Sequence, residues 1–479
     1  MIFPFFLRSL LLIKMGDQFL GLGSLFMSLL SMLSFFEAAF SMTISYYMYE
    51  PFAQQNNKSI SAFLKTFRNI YIGIGVVILI GGFCMLPILE CMSKDGFPDK
   101  INVHIVFLLY LANTLVGYFT CLYKTVLFRA AQRVDILMKI FLITDLSMYI
   151  GQSCVIYFFQ NYYYYVLCII FSSIIANIML YHFTKKYFPQ IKCYGELPKD
   201  IKLKIRKKVL ILIGQQLDVT ILNSSDTVII SVMLGVSCVA IYGNYFLIIS
   251  ALIGCIDVAI FQATIASVGN SVVVESRQYN YEQFRKIGKL SAVVQCISGI
   301  GLTVLLQNFV ALWFGKEMLL KDYNVYIWLL YSLISIQRKN VLMYKNALGL
   351  WERDKWRPVV AIIVNICLDL ILVPSQGISG VLLATVLCMT FIELPWETYV
   401  LYKDYFRKDI RLYYKDTIVQ TINILIIIVI SSSFFYKIPG NTIAKFILKS
   451  VYCVAFLIGI IFVIGLKGKK ARSNHESGK

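Results

Sequence analysis

The sequence predicts an all-α protein that crosses a membrane many times, and three observations support this fold class. First, 58% of the 479 residues are hydrophobic and only 15% are charged, whereas soluble domains contain about 45–50% apolar residues. Second, the apolar residues form about fourteen segments. Most of them approach the ~20 residues that an α-helix needs to cross ~30 Å of hydrocarbon. Third, the basic residues concentrate in every second connection between segments.

The apolar segments follow one another with short connections, so we expect no separate soluble domain. In chain order they are 2–15, 19–48, 70–89, 103–123, 136–159, 163–183, 209–234, 239–268, 290–314, 323–342, 359–373, 378–402, 418–436 and 443–466.

Lysine and arginine residues alternate between rich and poor connections. Of the 45 basic residues, 34 lie in one set of connections and in the C-terminal tail, whereas the other set is nearly bare. Because cytoplasmic loops carry the excess of Lys and Arg, the alternation predicts an even number of membrane helices with both termini in the cytoplasm. This topology accounts for the net charge of +19, and we expect no nucleic-acid partner.

Two motifs recur at an offset of about 220 residues. Residues 234–246 (LGVSCVAIYGNYF) echo residues 15–26, and residues 344–353 echo residues 123–133. The repeat predicts two pseudo-symmetric six-helix bundles, as in transporters that work by alternating access. The predicted parts are an N-terminal bundle at 1–183, a basic cytoplasmic linker at 184–208, a C-terminal bundle at 209–402, two extra helices at 403–466 and a basic cytoplasmic tail at 467–479.

The first segment is short for a membrane helix. If the offset of about 220 residues is applied to the start of the seventh segment, the corresponding position in the first repeat lies about eleven residues before Met1. Either the native chain starts upstream or this helix is short, and we expect a truncated first helix with an upstream start.

The seventh segment is long enough to span a membrane, but its middle is polar. Its polar residues are Gln215, Gln216, Asp218, Asn223, Ser224, Ser225 and Asp226. A charge at the centre of a membrane helix costs ~2.5–3.5 kcal/mol on insertion scales. We therefore expect this segment to face a hydrated passage or polar partners, as in a transporter. Asp218 and Asp226 lie roughly on one helical face, where they would form a cation or proton site or bind a polyhydroxylated substrate.

Two adjacent cations, Arg338 and Lys339, lie in the inner third of the tenth segment. A pair of cations at this depth suits an anion such as a phosphate. The alternative is structural: helix-end charges that reach towards water, or buried ion pairs that fix helix packing.

The basic linker and one proline give two further predictions. The linker carries nine basic and two acidic residues. It is either a solvated topology signal or a surface that attracts anionic lipid head groups. Pro395, flanked by Glu393 and Glu397 in the twelfth segment, is expected to kink that helix.

No pattern in the sequence indicates an enzyme or a cofactor. There is no GxSxG, HExxH, Walker or DxD motif, and the three histidines are far apart, so we expect neither a catalytic nor a metal site. The twelve cysteines are scattered, mostly within apolar segments, and are interpreted as small buried hydrophobic residues. Without a nucleotide-binding motif, transport is expected to be passive or ion-coupled.

Several motifs in order resemble those of the Wzx-type polysaccharide-unit flippases of the multidrug/oligosaccharidyl-lipid/polysaccharide (MOP) exporter superfamily, which have a MATE-like fold. Residues 33–40 (LSFFEAAF) are similar to an LSLAELGxG run, and residues 49–53 (YEPFA) to a YxPLA segment. Residues 223–231 (NSSDTVIIS) with 243–245 (GNY) look like an NxxDxxIIS…YxNY pattern. Residues 349–358 and 377–381 also resemble family motifs in the type of residue present. The sequence departs from the family pattern at Phe36 and Ala38-Ala39, and at the short first helix.

The resemblance implies a bacterial inner-membrane protein that moves polyprenyl-diphosphate-linked oligosaccharides from the cytoplasmic to the outer leaflet. The products would be O-antigen, capsule or exopolysaccharide, and membrane lipids and glycan polymerases would be partners. The expected substrate-binding residues are Asn223, Asp226, Arg338, Lys339, Arg8 and Lys14. Glu37 and Asp218 are the candidate ion-coupling carboxylates.

Two rival functions stay open. One is an ion-coupled multidrug exporter of the same superfamily, although most such drugs are cationic and the predicted cavity contains amines. The other is a polysaccharide polymerase, although such enzymes usually need a large outer loop and this sequence has only short ones.

Overall fold

The computed structural model describes residues 2–436 and 446–451, and every regular element in these ranges is helical. The α-helices are α1 (Ile2–Met15), α2 (Asp17–Ser34), α3 (Phe36–Ala53), α4 (Asn57–Met85), α5 (Val103–Phe119), α6 (Thr125–Ala130), α7 (Val134–Phe158), α8 (Tyr162–Tyr187), α9 (Lys199–Leu234), α10 (Val236–Ile256), α11 (Ala263–Val274), α12 (Arg277–Trp313), α13 (Tyr323–Leu348), α14 (Arg357–Gln376), α15 (Ile378–Cys388), α16 (Leu394–Val400) and α17 (Arg411–Tyr436). The all-α prediction is confirmed. Most of the last predicted segment and the tail lie outside the described residues.

Seven helical stretches in the described ranges are long and apolar enough to cross a membrane, and the number rises to nine if each of two bent pairs is one span. The bent pairs are α2 with α3 and α5 with α6, each with an angle of 48°. The first pair falls largely within the predicted segment 19–48, so this segment is bent in its middle. α6 lies beyond the predicted segment 103–123, so the second bend falls at the end of that segment.

The break between α5 and α6 shows how a backbone N–H that has no partner within its own helix is satisfied by a neighbouring helix. The backbone N–H of Cys121 donates to Oδ1 of Asn177 on α8 at 2.9 Å, and the hydroxyl of Thr120 donates to the same oxygen at 2.6 Å. Without such partners, an exposed amide in hydrocarbon would cost several kcal/mol.

Asparagine side chains cap several helix N-termini. Asn56 Oδ1 accepts from the backbone N–H of Ser59 at 3.0 Å at the start of α4. Asn102 and Asn161 cap α5 and α8 in the same way. A side-chain oxygen at this position satisfies amides that have no partner within the helix.

The twelfth predicted segment is helical but irregular. The π-helical stretch Met389–Glu393 separates α15 from α16, and a second one, Leu401–Phe406, follows α16. Pro395 is the second residue of α16 and follows the π-helical stretch Met389–Glu393 almost directly. Proline lacks an N–H and interrupts a regular helix, and the kink expected at Pro395 stays a prediction.

The chain divides into two compact units. Unit 1 consists of Met1–Gly243 and Trp351–Cys388, and unit 2 consists of Asn244–Leu350 and Met389–Lys479. In unit 1, α9 packs against α2, α3 and α14. In unit 2, α12 packs against α13 and α17. The bundle boundaries predicted from the repeat differ from this division and stay a prediction.

Candidate functional site

A pair of buried carboxylates lies in unit 1, one on α9 and one on α14. Asp226 on α9 is 2% exposed and Asp369 on α14 is fully buried. The Nδ2 of Asn365, one turn before Asp369 on the same face of α14, donates to Asp369 Oδ2 at 2.9 Å and lies 3.4 Å from Asp226 Oδ1. Residues four apart on a helix are neighbours on its surface, so Asn365 lies beside Asp369. Its amide nitrogen bridges the two carboxylates.

Two hydroxyl groups complete the surroundings of Asp226. Oδ2 of Asp226 accepts from the hydroxyl of Tyr242 on α10 at 3.0 Å and from that of Thr385 on α15 at 3.1 Å. Asp226 therefore does not face an open passage in this structure. The sequence leaves two roles open for this residue, and its burial favours the cation site over contact with a sugar.

The hydrogen bonding around this carboxylate pair is incomplete. Oδ1 of Asp369 and Oδ1 of Asn365 are buried and have no hydrogen-bond partner among the side chains that the structure describes. Among the described residues, neither Asp226 nor Asp369 forms an ion pair. Two buried carboxylates without a neighbouring cation are costly. The arrangement therefore offers oxygen atoms to a proton or another small cation.

Only part of this site is predictable from the sequence. Asp226 is among the predicted site residues. Asp369 is recognisable from the sequence only as a charge within an apolar segment, and Asn365 and Thr385 are not predicted. The available signal is an amide and a carboxylate four residues apart within the apolar segment 359–373. The partners lie 139 to 159 residues from Asp226 along the chain, so their proximity could not be inferred.

A second charged cluster lies in unit 2, around Arg338 on α13. Its guanidinium holds Glu397 with two hydrogen bonds of 2.9 and 2.8 Å and donates to Glu393 at 2.5 Å. The Arg338 side chain is 14% exposed, and both glutamates are at most 1% exposed. The ammonium of Lys345 lies 4.0 Å from Glu397 and is fully buried. The Arg338 guanidinium is thus paired with two carboxylates, which lie two residues before and two residues after Pro395 in the sequence.

Lys339 lies beside this cluster in sequence but has a different partner. Its ammonium is 3.2 Å from the carboxylate of Asp257, and its side chain is 37% exposed. Asp257 is the first residue of the π-helical stretch Asp257–Gln262. Lys339 is therefore the more accessible of the two predicted phosphate-binding cations.

Glu37 forms a separate cluster in unit 1, directly after the break between α2 and α3. Its two carboxylate oxygens accept hydrogen bonds from the hydroxyls of Tyr71 on α4, at 2.7 Å, and Tyr118 on α5, at 2.8 Å. Both tyrosines are buried. The carboxylate thus ties three helices together where α2 and α3 bend, and its coupling role stays a prediction.

The two cations of α1 have different surroundings. A Cβ on Gly243 of α10 would lie 2.9 Å from Nη2 of Arg8, so the glycine leaves space for the guanidinium. The Lys14 ammonium is exposed and lies 5.4 Å from the ring centre of Tyr157. Asp218 and Asn223 belong to α9, but their side chains lie outside the described part of the structure.

The fold is similar to that of solved MATE transporters. An inward-facing multidrug resistance MATE family transporter of the MOP superfamily aligns with a TM-score of 0.61 at 10% identity, over 84% of this chain and 94% of its own. An outward-facing one has a TM-score of 0.54 at 12% identity over 84% and 91%. The MATE multidrug transporter DinF-BH has a TM-score of 0.51 at 14% identity over 84% and 92%. No protein-family profile and no curated protein matches the sequence significantly. The helical architecture and these similarities show that the chain has the MATE-like fold of the MOP superfamily transporters.

Proposed function

We propose that this protein moves polyprenyl-diphosphate-linked oligosaccharides across a bacterial inner membrane by alternating access, coupled to a monovalent cation. The fold supports a transporter, and the motifs at 33–40, 49–53 and 223–245 favour a polysaccharide-unit flippase over other members of the superfamily. The observation that carries the coupling is the buried pair of Asp226 and Asp369 with unsatisfied oxygen atoms nearby.

The charge of this pair explains why a cation would bind. Two carboxylates in a medium of low dielectric repel each other and lose their hydration. A proton or a sodium ion between them would remove one unit of negative charge. Sodium could use oxygen ligands from Asp226, Asp369, Asn365 and Thr385, which are all within one hydrogen-bonded cluster.

The diphosphate would meet the cations of α13 and α1. Arg338 and Lys339 already face carboxylates, so a phosphate would have to share or replace those partners. Arg8, Lys14 and Asn223 stay in the proposal as further substrate contacts. Glu37 and Asp218 stay as further coupling carboxylates.

The leaflet in which single lipid-linked units accumulate tests this function. In a strain that lacks the protein, we expect these units to collect in the cytoplasmic leaflet, beyond the reach of a periplasmic glycan-labelling reagent. Plasmid-borne wild type should restore labelling. Accumulation in the outer leaflet of the deletion strain would instead indicate a missing polymerase and would contradict the flippase proposal.

A multidrug exporter is the second candidate, because the structural neighbours with TM-scores above 0.5 include multidrug transporters. Drug-resistance profiles of the deletion strain and its complemented parent separate the two functions. The flippase proposal predicts that loss of the gene changes surface glycan and leaves resistance to cationic drugs unchanged. Lower resistance with normal surface glycan would favour the exporter.

A further inference from the structure

A groove in unit 1 plays no part in the proposed transport chemistry. It is bounded by α3, α4 and the first half of α9, and its walls are apolar. The apolar wall residues are Phe40, Ile70, Ile205, Val209, Leu210 and Ile213. Thr66 adds little polarity, because its hydroxyl donates to the carbonyl of Ala62 in its own helix at 2.9 Å.

Two cations, Lys202 and Arg206, line the same groove near the start of α9. They are four residues apart and therefore share a helical face. The Lys202 ammonium lies 4.0 Å from Glu196, and both side chains are well exposed, at 48% and 80%. Such an exposed pair is weak and leaves the rim of the groove basic. No ion pair of Arg206 is found within residues 2–436.

Three further cations of this stretch lie off the groove face. At ~100° per residue, Lys204 lies on the opposite side of α9 from the groove and Lys207 lies beyond its edge, and both are exposed. The ammonium of Lys208 lies 3.1 Å from the ring centre of Tyr46 on α3. The cations that precede the seventh apolar segment therefore lie on different faces of α9. Only some of them border the apolar wall.

We propose that this groove binds an anionic phospholipid of the cytoplasmic leaflet. Its phosphate would lie between Lys202 and Arg206, and one acyl chain would follow the apolar wall towards Ile213. Charge complementarity identifies the occupant, because a basic rim at the cytoplasmic boundary attracts anionic head groups and the apolar wall suits a hydrocarbon chain. This binding goes beyond the proposed transport function and needs no step of it.

Native mass spectrometry of the purified full chain, with added phosphatidylglycerol or phosphatidylcholine of identical chains, tests the proposal. We expect phosphatidylglycerol to be retained preferentially. Each cation near a membrane surface contributes ~1 kcal/mol, or about five-fold in affinity. The double variant Lys202→Gln/Arg206→Gln should therefore weaken phosphatidylglycerol binding roughly 25-fold.

The matched control is Lys204→Gln/Lys207→Gln, which removes the same charge from residues that do not line the groove and should change binding less than about two-fold. Filling the groove with Ile70→Trp should reduce binding while leaving the charge unchanged. Equal losses in the two double variants, or equal retention of both lipids by wild type, would overturn the proposal. Displacement of phosphatidylglycerol by an equimolar polyprenyl phosphate would also overturn it, by assigning the groove to the carrier lipid.

Discussion

Asn365 connects two carboxylates that come from distant parts of the chain. Its amide nitrogen donates to Asp369 and approaches Asp226, while its oxygen has no partner within the described part of the chain. A fully satisfied network would indicate a packing role for these residues. The unsatisfied oxygen atoms instead indicate a place for a small cation, which is the chemical basis of the proposed coupling.

Asp369→Asn should abolish the stabilisation of the protein by its coupling cation. A ligand that binds only the folded state adds about 2.7 kcal/mol at 100 times its Kd, so the melting temperature of the wild type should rise with sodium concentration or with falling pH. The variant removes one charge and should melt at a temperature that depends on neither. Asp145→Asn, which changes an exposed carboxylate on α7, is the control and should behave as wild type. If the melting temperature of Asp369→Asn rose with sodium or with falling pH as much as that of the wild type, the cation site would be contradicted.

Arg338→Gln should lower the stability of the protein by about 3–5 kcal/mol, because it leaves two buried glutamates without their guanidinium partner. Arg338→Lys should recover only part of this loss, since an ammonium cannot form the paired hydrogen bonds to Glu397. Thermal unfolding of the purified variants in one detergent measures both. In Arg338→Gln/Glu397→Gln, part of the loss should be restored. A double variant less stable than Arg338→Gln would contradict this account of the cluster.

At the scale of the helices, the sequence predicts where apolar segments lie better than where they break. The fifth and sixth segments agree with α7 and α8 to within a few residues. The second and fourth are broken at Phe35 and near Cys121, yet their apolar residues continue through the break. A break depends on distant partners such as Asn177, and hydropathy carries no information about those.

Gly21 marks a close approach between helices, and Gly21→Ala should destabilise the protein. A Cβ at this position of α2 would lie 1.8 Å from the carbonyl oxygen of Val236 at the start of α10, so backbone must move. We expect a loss of about 1–3 kcal/mol, as for overpacked cores. Gly73→Ala on α4 meets nothing within 4 Å and should be neutral or slightly stabilising. Equal unfolding temperatures for the two variants would show that α2 and α10 are not packed as described.

At the scale of the whole molecule, the alternation of basic residues predicts which connections face the cytoplasm. This inference uses charge alone and is independent of the similarity in fold. It predicts that both termini, the 184–208 linker and the proposed lipid groove lie on the cytoplasmic side. The division into two units could not be predicted, because it depends on contacts between segments far apart in the chain.

Labelling of single cysteines with a membrane-impermeant maleimide tests this topology. In a variant without the twelve native cysteines, Lys100→Cys should react in intact spheroplasts, since residue 100 lies in a connection poor in basic residues. Lys207→Cys should react only after the membrane is permeabilised. The opposite pattern would reverse the predicted orientation.

The most direct test of the central claim is leaflet transfer of a lipid-linked oligosaccharide by the purified chain in proteoliposomes. We predict that transfer into the accessible leaflet is faster than in protein-free liposomes, and that it accelerates when a sodium or proton gradient is imposed. Asp226→Asn should lose this acceleration. A transfer rate equal to that of protein-free liposomes would contradict a flippase. A transfer rate that is changed neither by a gradient nor by Asp226→Asn would contradict cation coupling.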